Sequence, residues 1–255
     1  MKELRGRTAL LTGASTGIGP YIARRLAGEG IKLILSGRNR EALEKLSAEL
    51  EGSRVLVADL AQRAEVERLA RETGDIQILV SNAGVGAGGR IEEVGVEEID
   101  QALDVNLRAG IVLSKLLLPV LKSRGEGHIV FIASLAGKMP APGTSIYNAT
   151  KFGLRGYGHA LRAEVKADGV GVSLVSPTFV SEAGLFARTG AKASPIAGEV
   201  TPDQVAEAVV KAIRNNRAEV DVAPVQAKVG ARLAMAAPEV AVAVAGRSGS
   251  LPKER

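Results

Sequence analysis

The chain has 255 residues, 46% of them hydrophobic, which is enough to bury one sizeable core and excludes disorder as its main state. It has no cysteine and only two histidines, His128 and His159, so disulfides, thiolate metal sites and cysteine nucleophiles are excluded, and a histidine triad or zinc site has almost no material. The formal charge of +5 is spread over interspersed cations and anions with no run of five like charges, which favours a mildly basic surface over a nucleic-acid or anionic-membrane binder.

Residues 1–7 pass directly into a short apolar run with no signal-peptide core, so the expected location is the cytoplasm. No stretch reaches the ~18 apolar residues of a membrane span, since 229–246 is broken by Arg232, Pro238 and Glu239. Short aliphatic and β-branched runs predict strands at 8–11, 32–36, 54–57, 76–80, 128–132, 170–175 and 220–223. Between them, helical periodicity predicts helices near 18–29, 39–50, 62–73, 97–122 and 145–168. A further helix is announced by Thr201-Pro202-Asp203, an N-cap residue followed by proline at the first helical position. This alternation is the pattern of a single doubly wound α/β domain with a parallel sheet over residues 1–225, followed by an apolar segment and polar tail over 226–255.

The first strand leads into Thr12-Gly13-Ala14-Ser15-Thr16-Gly17-Ile18-Gly19. A glycine-rich turn opening a helix lets backbone N–H groups and the positive helix end meet a pyrophosphate. Tyr147 and Lys151 stand four apart at the start of a predicted helix and so share a face. An ammonium ~4 Å from a phenol is worth about 4 kcal/mol at an effective dielectric of 20, which predicts a Tyr147 pKa lowered toward neutrality despite some desolvation. His128, Tyr157 and His159 are expected to serve packing or the surface.

These motifs, in this order, resemble the short-chain dehydrogenase/reductase family, in the subgroup with a Thr-Gly-xxx-Gly-x-Gly turn and a Tyr-xxx-Lys pair. The resemblance runs from about residue 6 to about residue 225. It implies a Rossmann-like fold and hydride transfer between a nicotinamide cofactor and a carbonyl or secondary alcohol. It implies Asn106, Ser134, Tyr147 and Lys151 as the catalytic set: Tyr147 as general acid/base, Ser134 orienting the carbonyl, Lys151 holding the ribose, and Asn106 bending its helix and holding a water that leads to the lysine. It also implies cofactor contacts from Gly13, Ser15, Thr16, Gly17, Ile18 and Gly19, from Asp59 and Leu60, from Asn82, Ala83 and Gly84, and from Tyr147, Lys151, Pro177 and Val180. Ser81 stands where the family has a first Asn, and Thr178 where it has Gly. No metal is implied.

At the end of the second strand the family's NAD-binding members carry a carboxylate, whereas here Gly37 and Arg38 follow Ser36. A guanidinium suits a 2′-phosphate, so NADP(H) is the preferred cofactor, with NAD(H) possible. The loop 181–200, with Leu185 and Phe186, is the expected substrate wall for an apolar carbonyl such as a 3-oxoacyl thioester, a small ketone or a steroid-like compound. The resemblance further implies a homotetramer or homodimer through the two long helices, with the apolar 113–121 region at the contact. The rival reading is a catalytically silent NADP-binding sensor or scaffold.

Overall fold

The computed structural model describes residues 1–183 and 198–239. Seven parallel strands form one sheet in the order β3-β2-β1-β4-β5-β6-β9: β1 (Thr8–Thr12), β2 (Lys32–Gly37), β3 (Arg54–Val57), β4 (Ile78–Ser81), β5 (Gly127–Ile132), β6 (Val170–Pro177) and β9 (Glu219–Val222). A parallel pair needs a crossover, and the helices that supply it are α1 (Gly19–Gly28), α2 (Arg40–Glu49), α3 (Arg63–Thr73), α4 (Val96–Leu103) running into α5 (Ala109–Ser123), α6 (Ser145–Glu164) and α7 (Pro202–Arg214).

The strands alternate their side chains between two cores. In β1, Ala9 and Leu11 point to the side covered by α1, α2 and α7, and Leu10 to the other. In β5, Val130 and Ile132 join the first core, while Ile129 and Phe131 pack with α3, α5 and α6. Both faces are buried, which is why the strands read as continuous apolar runs. The strand order reverses between β1 and β4, and such a switch point leaves a crevice at the carboxyl ends of the strands.

Most predicted elements are found within one or two residues. The fourth strand begins at Ile78, two residues later than expected, although Gln77 still bonds both neighbouring strands: its N–H donates to the Thr8 carbonyl and its carbonyl accepts from the His128 N–H. The last strand begins at Glu219, one residue early. The expected Thr201 cap forms a full capping box with Gln204. Within the 113–121 region Leu113, Leu117 and Leu121, four apart, turn onto the sheet and are buried, while Leu116 faces outward. The large apolar residues left exposed on the long helices are Val96, Leu103, Leu116 and Phe152.

Two features go beyond the sequence reading. A short parallel pair, β7 (Phe179–Val180) with β8 (Glu199–Val200), pins the two ends of the loop expected to wall the substrate. Leu185 and Phe186 themselves lie outside the described residues, as does the chain beyond 239. After β9, α8 (Val225–Ala236) lays Ala227 and Ala231 on Leu135. Among the described residues no helix is long and apolar enough to cross a membrane.

Candidate active site

The glycine turn lies at the carboxyl end of β1, beside the switch point. Gly13 has φ +64°, and a β-carbon there would stand 2.8 Å from the Ala83 α-carbon, so the β1 and β4 turns touch backbone to backbone. Thr12 closes that contact from below: its hydroxyl oxygen accepts from the Asn82 N–H at 3.0 Å and the Ala83 N–H at 3.1 Å. The Asn82 side-chain amide in turn donates to the carbonyls of Thr12 and Gly13 at 3.0 and 3.1 Å. Thr12, which the motif includes but which was not expected as a site residue, thus organises the site.

Helix α1 starts at Gly19 with Pro20 in its first turn and no side-chain cap. The glycine turn and the positive end of α1 lie together at the carboxyl end of β1, which fits a pyrophosphate. Among the other expected cofactor contacts, Arg38 is exposed at the end of β2. Gly37 lies close to the glycine turn, since a β-carbon on it would stand 2.8 Å from the Ser15 hydroxyl oxygen. The Asp59 carboxylate accepts from the Ala61 N–H at 3.1 Å, and Leu60 is buried. Pro177 ends β6, and Val180 is buried in β7.

The four expected catalytic residues converge from three elements. Asn106 lies in a π-helical turn, Asp104–Arg108, that joins α4 to α5. A π-turn frees backbone groups and swings a side chain off the regular helical track. The Asn106 side chain, 3% exposed, satisfies both backbone groups of Val85: its Oδ1 accepts from Val85 N–H at 2.7 Å and its Nδ2 donates to Val85 O at 2.9 Å. A β-carbon on Gly84 would lie 3.3 Å from Asn106 Oδ1 and 3.9 Å from Lys151 Nζ, so the β4 turn sits over both.

Ser134 follows β5 and caps a 3₁₀ turn, Leu135–Gly137, its oxygen accepting from the Ala136 N–H at 3.1 Å. Its hydroxyl also lies 3.4 Å from the Pro177 carbonyl, and it stands near enough to the Tyr147 phenol to pull that group's pKa down. Helix α6 is held against this turn by Asn148, another residue the sequence reading passed over. Its Nδ2 donates to the carbonyls of Ala136 at 2.6 Å and Met139 at 3.1 Å, and its Oδ1 accepts from the Thr144 hydroxyl at 2.5 Å. A buried Asn beside Tyr147 was the available signal.

Lys151, 4% exposed, donates to the Ile132 carbonyl at 3.1 Å and lies 5.5 Å from the Tyr147 ring centroid. The two side chains share a face as expected, but the electrostatic expectation is reversed. Burial pushes the phenol up to about 12, only partly offset by the Ser134 hydrogen bond, and burial pushes the lysine down to about 8. The ammonium is directed to a carbonyl and the ring, Lys151 is buried and Tyr147 half-buried, and desolvation outweighs charge attraction in the pair. A cleft of about 430 Å³ opens between residues 89–92 and the start of α6, where Ile91 and Ile146 supply apolar wall and the Gly89 N–H donates to the Gly143 carbonyl at 2.9 Å.

The remaining polar candidates are structural. His128 is buried, with Nε2 2.8 Å from the Ser173 hydroxyl, and burial lowers its pKa to about 3. The Tyr157 hydroxyl meets Ser114 at 2.7 Å, and its ring packs edge-on against Phe131.

A family model described as short chain dehydrogenase matches residues 7–189. Among curated proteins, a ketoacyl reductase of Nostoc sp. is 38% identical over 228 residues, covering 86% of this chain and 79% of its own. The 3-oxoacyl-[acyl-carrier-protein] reductase of Rickettsia prowazekii is 36% identical over 181 residues, 71% of this chain and 75% of its own. Among solved structures, a 3-ketoacyl-(acyl-carrier-protein) reductase from Brucella melitensis complexed with NADH superposes with TM-score 0.79 at 28% identity, covering 88% of this chain and 99% of its own.

Proposed function

The chain belongs to the short-chain dehydrogenase/reductase family, and from that premise we propose that it is an NADP(H)-dependent reductase of a carbonyl, with the reverse oxidation of the secondary alcohol, in which Tyr147 is the general acid/base. The observation that carries this reading is the convergence of Ser134, Tyr147 and Lys151 at the carboxyl end of β5, with the glycine turn and α1 on the other side of the β4 turn. The NADH held in the Brucella structure and the reductase names of the relatives support a nicotinamide cofactor and a 3-oxoacyl thioester as the leading substrate class.

The glycine turn and α1 would hold the pyrophosphate, Asp59 the adenine, Arg38 the 2′-phosphate, and Tyr147 and Lys151 the nicotinamide ribose. Such a cofactor, when bound, supplies the hydride. The chain's own residues govern the proton. At neutral pH the phenol of Tyr147, with its pKa near 12, is protonated and so acts as an acid toward the substrate oxygen. Ser134 donates its hydroxyl hydrogen to that same oxygen and stabilises the charge that develops there. Lys151 remains largely charged at pH 7 and stabilises the phenolate left behind; at a separation of ~5 Å and an effective dielectric of 20 this is worth about 3 kcal/mol. The ammonium therefore acts on the product of proton transfer more than on the resting phenol. Leu103, Leu116 and Phe152 give the long helices an apolar face for a homodimer or homotetramer.

The test is a screen of the purified protein with NADPH and NADH against a carbonyl panel that includes 3-oxoacyl thioesters, with Arg38→Asp alongside. Turnover that favours NADPH and loses that preference in Arg38→Asp is expected. Equal use of both cofactors by the wild type, with no effect of the substitution, contradicts the cofactor assignment. Cofactor binding without turnover on any carbonyl would favour a silent sensor.

A further inference from the structure

The long side chain of Lys138, buried to 3% exposure four residues after Ser134, is not used by the mechanism above. Its Nζ lies 2.5 Å from Asp221 Oδ1 and 3.0 Å from Glu219 Oε1, both on the edge strand β9. Glu219 also receives Arg155 of α6, with Nε at 2.9 Å from Oε1 and Nη2 at 3.2 Å from Oε2, and His159 Nε2 lies 3.4 Å from Oε2. Arg155 stands one helical turn beyond Lys151. One carboxylate thus binds two cations, one from the turn that carries Ser134 and one from the helix that carries Tyr147 and Lys151.

The two arms are short and stiff. Between Ser134 and Lys138 the 3₁₀ turn is closed by Gly137 N–H to Ser134 O and Lys138 N–H to Leu135 O, each at 2.9 Å. Between Lys151 and Arg155 there is one turn of regular helix. A displacement at Lys138 is therefore passed to the Ser134 hydroxyl with little slack. Resting on the reading of Ser134 and Tyr147 given above, we propose that Lys138 is a positioning residue: through Glu219 and Asp221 it sets the distance between the Ser134 hydroxyl and the Tyr147 phenol. The charges in the cluster balance, two cations against two carboxylates, before His159 is considered, so the arrangement is stable as a unit and sensitive to the loss of one member.

A rival role is purely structural, in which Lys138 only pins the edge strand. The two are separated by comparing full-length wild type with Lys138→Met and with Lys138→Met/Asp221→Asn, the second of which leaves no unpaired carboxylate. Melting temperature, kcat, the cofactor KM and the ¹³Cζ resonance of Tyr147, assigned with Tyr147→Phe, are measured for each. A misplacement on the order of 1 Å at a reacting group can cost about 100-fold, so kcat is expected to fall roughly 10- to 100-fold in both variants, with cofactor KM little changed. The double variant is expected to melt with the wild type, yet keep the low kcat and a displaced Tyr147 resonance. Recovery of kcat and of the resonance along with the melting temperature overturns the proposal, as does an unchanged kcat in Lys138→Met. If Lys138→Met does not fold, the double variant decides. If the wild type reduces no carbonyl, the proposed function fails on that result, and the Tyr147 resonance alone decides this inference: unmoved in the double variant, it overturns it.

Discussion

Gly137 and Lys151 meet backbone to backbone: a β-carbon on Gly137 would stand 2.7 Å from the Lys151 carbonyl oxygen and 3.0 Å from its carbonyl carbon. Neither atom belongs to a flexible side chain, so the turn that carries Ser134 and the helix that carries Tyr147 can approach only because residue 137 has no side chain. Gly137→Ala is expected to push the two apart. Overpacking of this kind costs typically about 1–3 kcal/mol, so thermal melting should show a modest loss of stability while steady-state kinetics show a larger loss of kcat, at least tenfold. Unchanged kinetics would mean that this spacing does not matter.

Lys151 gives the activity a basic limb. Burial lowers its pKa to about 8, so the ammonium is present below that pH and is lost as pH rises through it. Reductive kcat/KM is expected to fall above about pH 8 by up to one decade per pH unit. Folding responds in the opposite sense: between about 8 and the unfolded value of 10.5 the unfolded chain holds a proton the folded one has released, so this group makes stability rise with pH there. A flat rate profile from pH 7 to 10 would contradict the role given to the ammonium.

His128 makes the fold acid-sensitive. Its folded pKa of about 3 lies below the ordinary 6.5, so the unfolded chain takes up a proton that the folded chain refuses, and stability is lost as pH falls from 6.5 toward 3. Each pH unit in that window is worth about 1.4 kcal/mol, or roughly 2 kcal/mol between pH 6.5 and 5. Urea unfolding of the wild type should show this slope, and His128→Gln should lack it. Parallel curves for the two proteins would show that the imidazole does not titrate on unfolding.

The sequence displayed most of this fold, because long aliphatic runs bounded by glycine turns have one economical arrangement. It was silent where the deciding partner is distant in the chain. Lys138 and Asp221 are 83 residues apart, and nothing local marks either as buried. Helix α8 went unread because its buried face is only Ala227, Ala231 and Ala234, while Val225, Val229 and Leu233 are exposed, which inverts the usual apolar signal. The π-turn at Asn106 and the pairing of its side chain with Val85 appear only in three dimensions. The direction of the Tyr147 shift was misjudged for a physical reason: charge attraction and desolvation oppose each other, and spacing along a helix fixes neither the depth of the pair nor where the ammonium points.

The central assignment is the proton carried by Tyr147, and Tyr147→Phe removes that hydroxyl while keeping the ring. NADPH-dependent reduction of the best carbonyl substrate is measured with the wild type and the variant, beside NADPH affinity by fluorescence titration. Turnover is expected to fall at least ~100-fold, the lower range for loss of a general acid, while affinity changes by no more than a few-fold. Turnover within a few-fold of wild type, at equal cofactor affinity, would contradict the assignment.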